Sequence, residues 1–172
     1  MSKTKLIKFL KELPKEELEE QLFDLYNRFK EVKEFYDFSF NPNEQKRIDH
    51  AKLKISKEYF PEGKRKAKKR RSIAQKEIEH LRKLEVEPSL IIDLILYNIE
   101  IAQAYNEEKP IVQEAFYKSM LSSYRKALVY IAQQFLQREF DDRIIRIQKT
   151  ALNQGWFNAA AFKIAVKELL ED

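Results

Sequence analysis

The 172-residue chain has no cysteine, which removes disulfide frameworks, thiolate zinc sites, iron–sulfur clusters and cysteine nucleophiles together. That absence suits a reducing compartment. Glycine is nearly missing too: only Gly63 and Gly155 are present, against an average usage of about 7%. No P-loop, dinucleotide-binding turn or nucleophile elbow can be assembled from two isolated glycines. Long apolar runs are also lacking. The longest, Leu90 to Ile101, contains Asp93, Asn98 and Glu100, whereas a membrane-spanning helix needs about 20 largely apolar residues. At the start, Lys8 and Lys11 interrupt the apolar residues that a signal peptide would need, and Ser2 stands where myristoylation requires glycine. These absences predict a soluble, cytoplasmic protein that does not enter a membrane.

What is present is a globular composition. Hydrophobic residues make up 44% of the chain and charged residues 35%, enough to build a core and solvate the surface, so disorder is excluded. The length predicts one helical domain over 1–172, with sub-units at 1–62, 63–87 and 88–172. Apolar residues recur at helical spacing almost throughout. Leu6 to Leu13 and Leu18 to Phe29 predict a hairpin opened by Pro14. The run Phe35–Phe40 is too short and aromatic to assign. Asn41, Pro42 and Glu44 read as a capping-box start for a third helix ending near Phe60. A fourth is predicted from Lys64 to Leu84, a fifth, apolar around most of its circumference, from Pro88 to about Tyr105, and a sixth of about 27 residues from Pro110 to Arg138. A seventh runs from Asp141 or Asp142 to Asn153 and stops at Gly155. Asn158 caps the eighth, with Phe157 and Phe162 as a staple. No strand pair carries hairpin chemistry. The predicted fold is all-α, an irregular antiparallel helical bundle or a short α-solenoid of about eight helices, although no fixed repeat supports the solenoid.

The stretches Asp93-Leu94-Ile95-Leu96-Tyr97-Asn98-Ile99-Glu100, Glu114-Ala115-Phe116-Tyr117-Lys118-Ser119-Met120 and Gly155-Trp156 are packing motifs. Together they resemble a family of bacterial all-helical proteins with no assigned activity, the match lying mainly over residues 88–160. The resemblance implies a bacterial, cytoplasmic, all-helical protein and brings no catalytic residues. At Trp156-Phe157-Asn158 the chain departs from a more polar pattern in that family.

Charge is where the sequence is most informative. The formal charge is +5, but residues 1–62 are balanced, and 88–172 carry ten basic against eleven acidic groups. Residues 63–87 hold ten basic against four, and seven of those ten are Lys64, Arg65, Lys66, Lys68, Lys69, Arg70 and Arg71. On a helix these would form a basic cylinder at the N-terminus, where the macrodipole repels cations. Phosphates would relieve that repulsion, and Tyr59, Phe60 and Phe35–Phe40 could offer stacking faces for bases. The bland alternative is a solvated loop or frayed helix end, neutralised by Asp141-Asp142 or Glu107-Glu108.

Other constellations are weaker. Glu77 and His80 have the Glu-x-x-His spacing of di-iron bundles, but only one copy exists, and His50 has no matching partner. Asp93, Tyr97 and Glu100 share one side of the fifth helix and could do acid–base work if buried together; the alternative is a solvent-facing stripe or pairing with Arg125 or Lys126. Trp156 and Tyr97, Tyr105, Tyr117, Tyr124 and Tyr130 recur at packing intervals. Ser119, Ser122 and Ser123 have no histidine near in sequence. The sequence therefore predicts a binding module without catalytic, metal, cofactor or small-molecule site, contacting a protein partner through the basic helix start Lys64–Arg71. RNA or single-stranded DNA binding by the same seven residues is the alternative, and an enzyme the least favoured.

Overall fold

The computed structural model describes residues 2–171, and its helices fall into two compact units, Met1–Asn43 and Glu44–Asp172. The fold is all-α, with nine helices among the described residues.

In the first unit, Pro14 separates α1 (Ser2–Glu12) from α2 (Lys15–Arg28), since proline cannot donate to a continuing helix. Glu16 and Glu17 in the first turn of α2 favour its positive end. One extended residue, Phe29, turns the chain into α3 (Lys30–Phe40). The aromatic run left unassigned by the sequence is thus the end of α3, and Phe38 within it is buried. α2 packs against α3, where the Tyr26 hydroxyl donates to Asp37 at 2.6 Å, and that carboxylate pushes the phenol's pKa up. Neither α1 nor α2 has a buried residue.

The second unit is built around α6 (Pro88–Glu108). It packs against α4 (Glu44–Tyr59), α5 (Arg71–Lys83), α7 (Glu114–Gln133) and α8 (Gln137–Asn153). Ile91, Ile92, Leu94, Leu96, Ile99 and Ala102 are fully enclosed, as expected of a helix apolar around most of its circumference, and the partly exposed side carries Asp93, Tyr97 and Glu100. Its start is well defined: Pro88 sits in the first turn, and the Glu87 carboxylate accepts from Leu90 N–H at 3.2 Å. α9 (Ala159–Glu171) packs on α7 and α8.

Several boundaries differ from the sequence reading. α4 starts at Glu44, so Asn41 closes α3 instead of capping α4, and the Glu44 carboxylate accepts from Glu87 N–H at 3.2 Å. The expected 27-residue spine ends at Gln133 because Phe135 turns left-handed, with φ 57°. Leu136 N–H then reaches back to Ile131 C=O at 3.1 Å. Glu85 after α5 and Gly155 after α8 do the same, with Val86 bonded to Leu81 and Trp156 to Ala151. These three Schellman turns satisfy helix-end carbonyls and send Val86 and Trp156 straight into the core. α8 consequently begins at Gln137, earlier than expected. Asn158 donates its amide to Tyr117 C=O at 3.0 Å, which ties the approach to α9 onto α7.

A polar cluster joins α6 to the α8–α9 turn. Asn106 accepts from Ile111 N–H (2.9 Å) and from the Tyr117 hydroxyl (3.1 Å), and donates to Gln154 at 3.1 Å. Gln154 also accepts from the Trp156 indole at 2.9 Å and donates to Gln103 C=O at 3.0 Å. Trp156 stands against Tyr117, Phe116 and Phe162, so the aromatic series is largely core and inter-helix packing.

Candidate functional site

The basic stretch does not form the start of a helix. Residues 61–70 are irregular, and α5 begins only at Arg71, the last cation of the seven. A helical start would crowd cations at the positive end of the macrodipole, and Pro61, Gly63 at φ 67° and Lys69 at φ 53° give the backbone another course. The basic cylinder is replaced by a basic strap laid beside the end of α4.

Glu58 fastens this strap. It lies on the buried face of α4 and accepts from Arg70 N–H (3.1 Å), Nε (3.0 Å) and Nη2 (2.6 Å), while its own carbonyl accepts from Lys69 N–H at 2.9 Å. The Arg70 hydrogen bond, against the opposing effect of burial, holds the Glu58 carboxyl below its usual range. The carboxylate that neutralises a strap cation is therefore Glu58, not the aspartate or glutamate pairs the sequence suggested. Arg71 donates to Ala115 C=O on α7, and the Lys69 ammonium lies 5.3 Å from the Tyr105 ring centre. Arg70, Arg71 and Lys69 are thus held by the protein itself. Lys64, Arg65, Lys66 and Lys68 are exposed, and no ion pair among the described residues takes them.

Strap and helix ends enclose a depression of about 580 Å³, with Arg65, Lys66, Lys69 and Lys109 on its rim and Tyr59, Phe60 and Tyr105 on its walls. The Phe60 ring is the accessible aromatic face, 37% exposed and edge-on to Tyr105 at 5.8 Å. The Tyr59 hydroxyl is buried and has no hydrogen-bond partner, and burial pushes its pKa up. Sequence reasoning missed Glu58 and Lys109. Glu58 had a signal: it follows Ile48, Ala51 and Ile55 on the apolar stripe of α4, where a carboxylate requires a partner.

The carboxylates of α6 are engaged elsewhere. Arg143 on α8 donates to Glu100 through Nε and Nη2, both at 2.7 Å, and to Asp93 through Nη1 at 2.5 Å. Lys52 on α4 reaches Asp93 at 2.5 Å and lies 5.4 Å from the Tyr97 ring centre. Burial works against the Arg143 charge, but the hydrogen bonds to Glu100 and Asp93 outweigh it and push its pKa up. Two carboxylates thus meet two cations in a four-residue clasp across α4, α6 and α8. The partner is Arg143, not the Arg125 or Lys126 suggested by the sequence.

Of the remaining candidates, Glu77 accepts from Lys54 at 2.9 Å, while His50 and His80 are exposed. Ser122 and Ser123 line a groove between α5 and α7 floored by Ile95 and Leu121, with Arg82, Arg125 and Lys126 on its rim. Among the described residues, no cluster of three His, Asp or Glu is placed to hold a metal ion. None of the described helices is long and apolar enough to cross a membrane.

No curated protein and no solved structure matches the chain. The sequence does match, over residues 1–170, a family described as of unknown function (DUF6155), extending the resemblance noted over 88–160 to the whole helical architecture. The chain belongs to that family.

Proposed function

We propose that the protein acts by binding, and that its ligand is a polyanion, single-stranded RNA or DNA, held along the strap 64–71. The observation that carries this reading is the sorting of the seven cations. Three are tied down and shape the backbone, and four are exposed without an ion pair among the described residues, Lys68 being close enough to Glu58 to help lower its pKa, beside a cationic depression with one accessible ring. Lys64, Arg65, Lys66 and Lys68 would neutralise successive phosphates, Lys69 and Lys109 would lend charge to the depression, and Phe60 would stack one base. The cysteine-free composition and the sequence resemblance support a bacterial cytoplasmic setting. A protein partner is the second reading, favoured by the apolar groove between α5 and α7 with its cationic rim.

Fluorescence anisotropy with a labelled oligouridine tests the first reading. With four free cations, log affinity should fall against log salt with a slope of about 3, at roughly 0.7 per single-strand phosphate. Replacing Lys64, Arg65, Lys66 and Lys68 together by Ala should abolish this slope, and Phe60→Ala should weaken binding about fivefold, the low end of base stacking. Replacing Lys163 and Lys167 on α9 is the control. If the quadruple variant keeps both affinity and slope, the strap is not the site.

A further inference from the structure

We propose that the N-terminal unit is a self-association surface whose occupant is the same unit of a second copy of this chain, with α1 of each copy lying on α2 of the other. The large apolar residues of these two helices are left largely uncovered, as is Phe40 at the end of α3. On α1, Leu6, Ile7, Phe9 and Leu10 are 37–53% exposed, and Leu22, Phe23, Leu25 and Phe29 at α2 are 42–68% exposed. An 11-residue helix falls short of the roughly 12–15 residues at which isolated helices become even marginal in water, so α1 calls for a packing partner. Eight uncovered side chains present on the order of several hundred Å², comparable to the largest patches on ordinary monomers and approaching the ~800 Å² that each partner contributes to a stable interface.

Charge selects the occupant. α1 carries Lys3, Lys5, Lys8 and Lys11 against one glutamate, a net +3, while α2 carries five carboxylates against Lys15 and Arg28, a net −3. The two cations of α2 are already spent within the helix, on Glu19 at 3.5 Å and Asp24 at 2.8 Å. Glu16, Glu17 and Glu20 are left without an ion pair among the described residues. Pairing α1 with α1 would set +3 on +3, whereas α1 on the other copy's α2 is neutral, and a two-fold axis forms that contact twice. The acidic face of α2 also repels an anionic bilayer, which a basic amphipathic helix alone would attract.

Light scattering on size-fractionated full-length protein across the micromolar range reads the outcome. The native chain should be a dimer that weakens with salt. Reversing Lys5, Lys8 and Lys11 to Glu should weaken dimerisation at least about tenfold, and so should reversing Glu16, Glu17 and Glu20 to Lys, because each sets like charges face to face. Mixing the two variants should restore the dimer, since one variant's acidic α1 then meets the other's basic α2, while the second contact pairs the remaining native α1 with the remaining native α2. Packing of α1 on α2 within one chain cannot be rescued by mixing, so failure of rescue overturns the proposal. A monomeric native chain overturns it as well, and if that monomer binds phosphatidylcholine–phosphatidylglycerol vesicles, the apolar face belongs to a membrane surface instead.

Discussion

Replacing Arg143 by methionine is the most direct way to learn what Asp93 and Glu100 are for. The substitution keeps the bulk of the side chain on the buried stripe of α8 but removes every hydrogen bond that joins the two carboxylates. Breaking a buried ion pair from one side costs about 3–5 kcal/mol, because the remaining charge is left without its counterion. Here the discount is visible in the geometry. The side chains of Arg143, Asp93 and Glu100 retain 22%, 24% and 31% of their exposure, and Lys52 still holds Asp93 at 2.5 Å. Water and Lys52 together bring the expected loss to about 2–3 kcal/mol, read as a lower urea midpoint at constant slope and a fall in Tm of roughly 5–10 °C. Glu100→Gln alone should cost less, and the double variant should fall short of the sum by about 1–2 kcal/mol, since both remove the same contact. A loss below about 0.5 kcal/mol, the value of an ordinary exposed pair, would refute the clasp as a structural element. Strict additivity would do the same and would return the two carboxylates to the list of groups available for chemistry.

Two further outcomes follow from the site and the core. Because the fold prefers Glu58 ionised, its stabilisation is fully present above the ordinary glutamate range, near pH 4.3, and drains away as pH falls through its lowered folded value. Glu58→Gln should therefore destabilise the protein by about 1 kcal/mol at neutral pH, with the gap to the native chain closing below about pH 4. Urea titrations of both proteins across that range check the sign, and a gap that widened in acid would contradict it. Asn106→Ala leaves the buried Ile111 N–H without an acceptor and strips one partner from Tyr117 and from Gln154. It should cost about 2–3 kcal/mol in equilibrium unfolding, and a loss under about 1 would mean that water replaces the amide.

How far the sequence could be read depended on whether the deciding contact was local. Pro88 and the run after it, apolar around most of its circumference, were enough to place α6, its start and its central role, because capping and amphipathicity are properties of adjacent residues. The end of α7 was not readable in that way. Its deciding bonds are local, Phe135 N–H to Ala132 C=O and Leu136 N–H to Ile131 C=O, but Phe135 takes a left-handed turn despite its Cβ, against the residue preference by which helix ends are read. The strap was misread because seven cations next to a helical pattern look like more helix, while the residue that fastens Arg70 lies twelve positions back, on α4. Arg143 sits 43 and 50 residues from the carboxylates it joins. Yet it left a trace: it is the one cation along the stripe Phe140, Ile144, Ile147 and Ala151, and a charge on a buried stripe implies an opposite charge facing it.

The packing of α6 against four other helices governs how residues 44–172 come apart. Detaching any one of α4, α5, α7 or α8 would wet part of the same apolar rod, so a form missing a single helix would combine the loss of packing with a freshly exposed greasy surface. Such half-open states are disfavoured from both directions. The helices that enclose α6 are thereby built to open together, and the chance of one copy sticking to another through an uncovered α6 is confined to that cooperative opening.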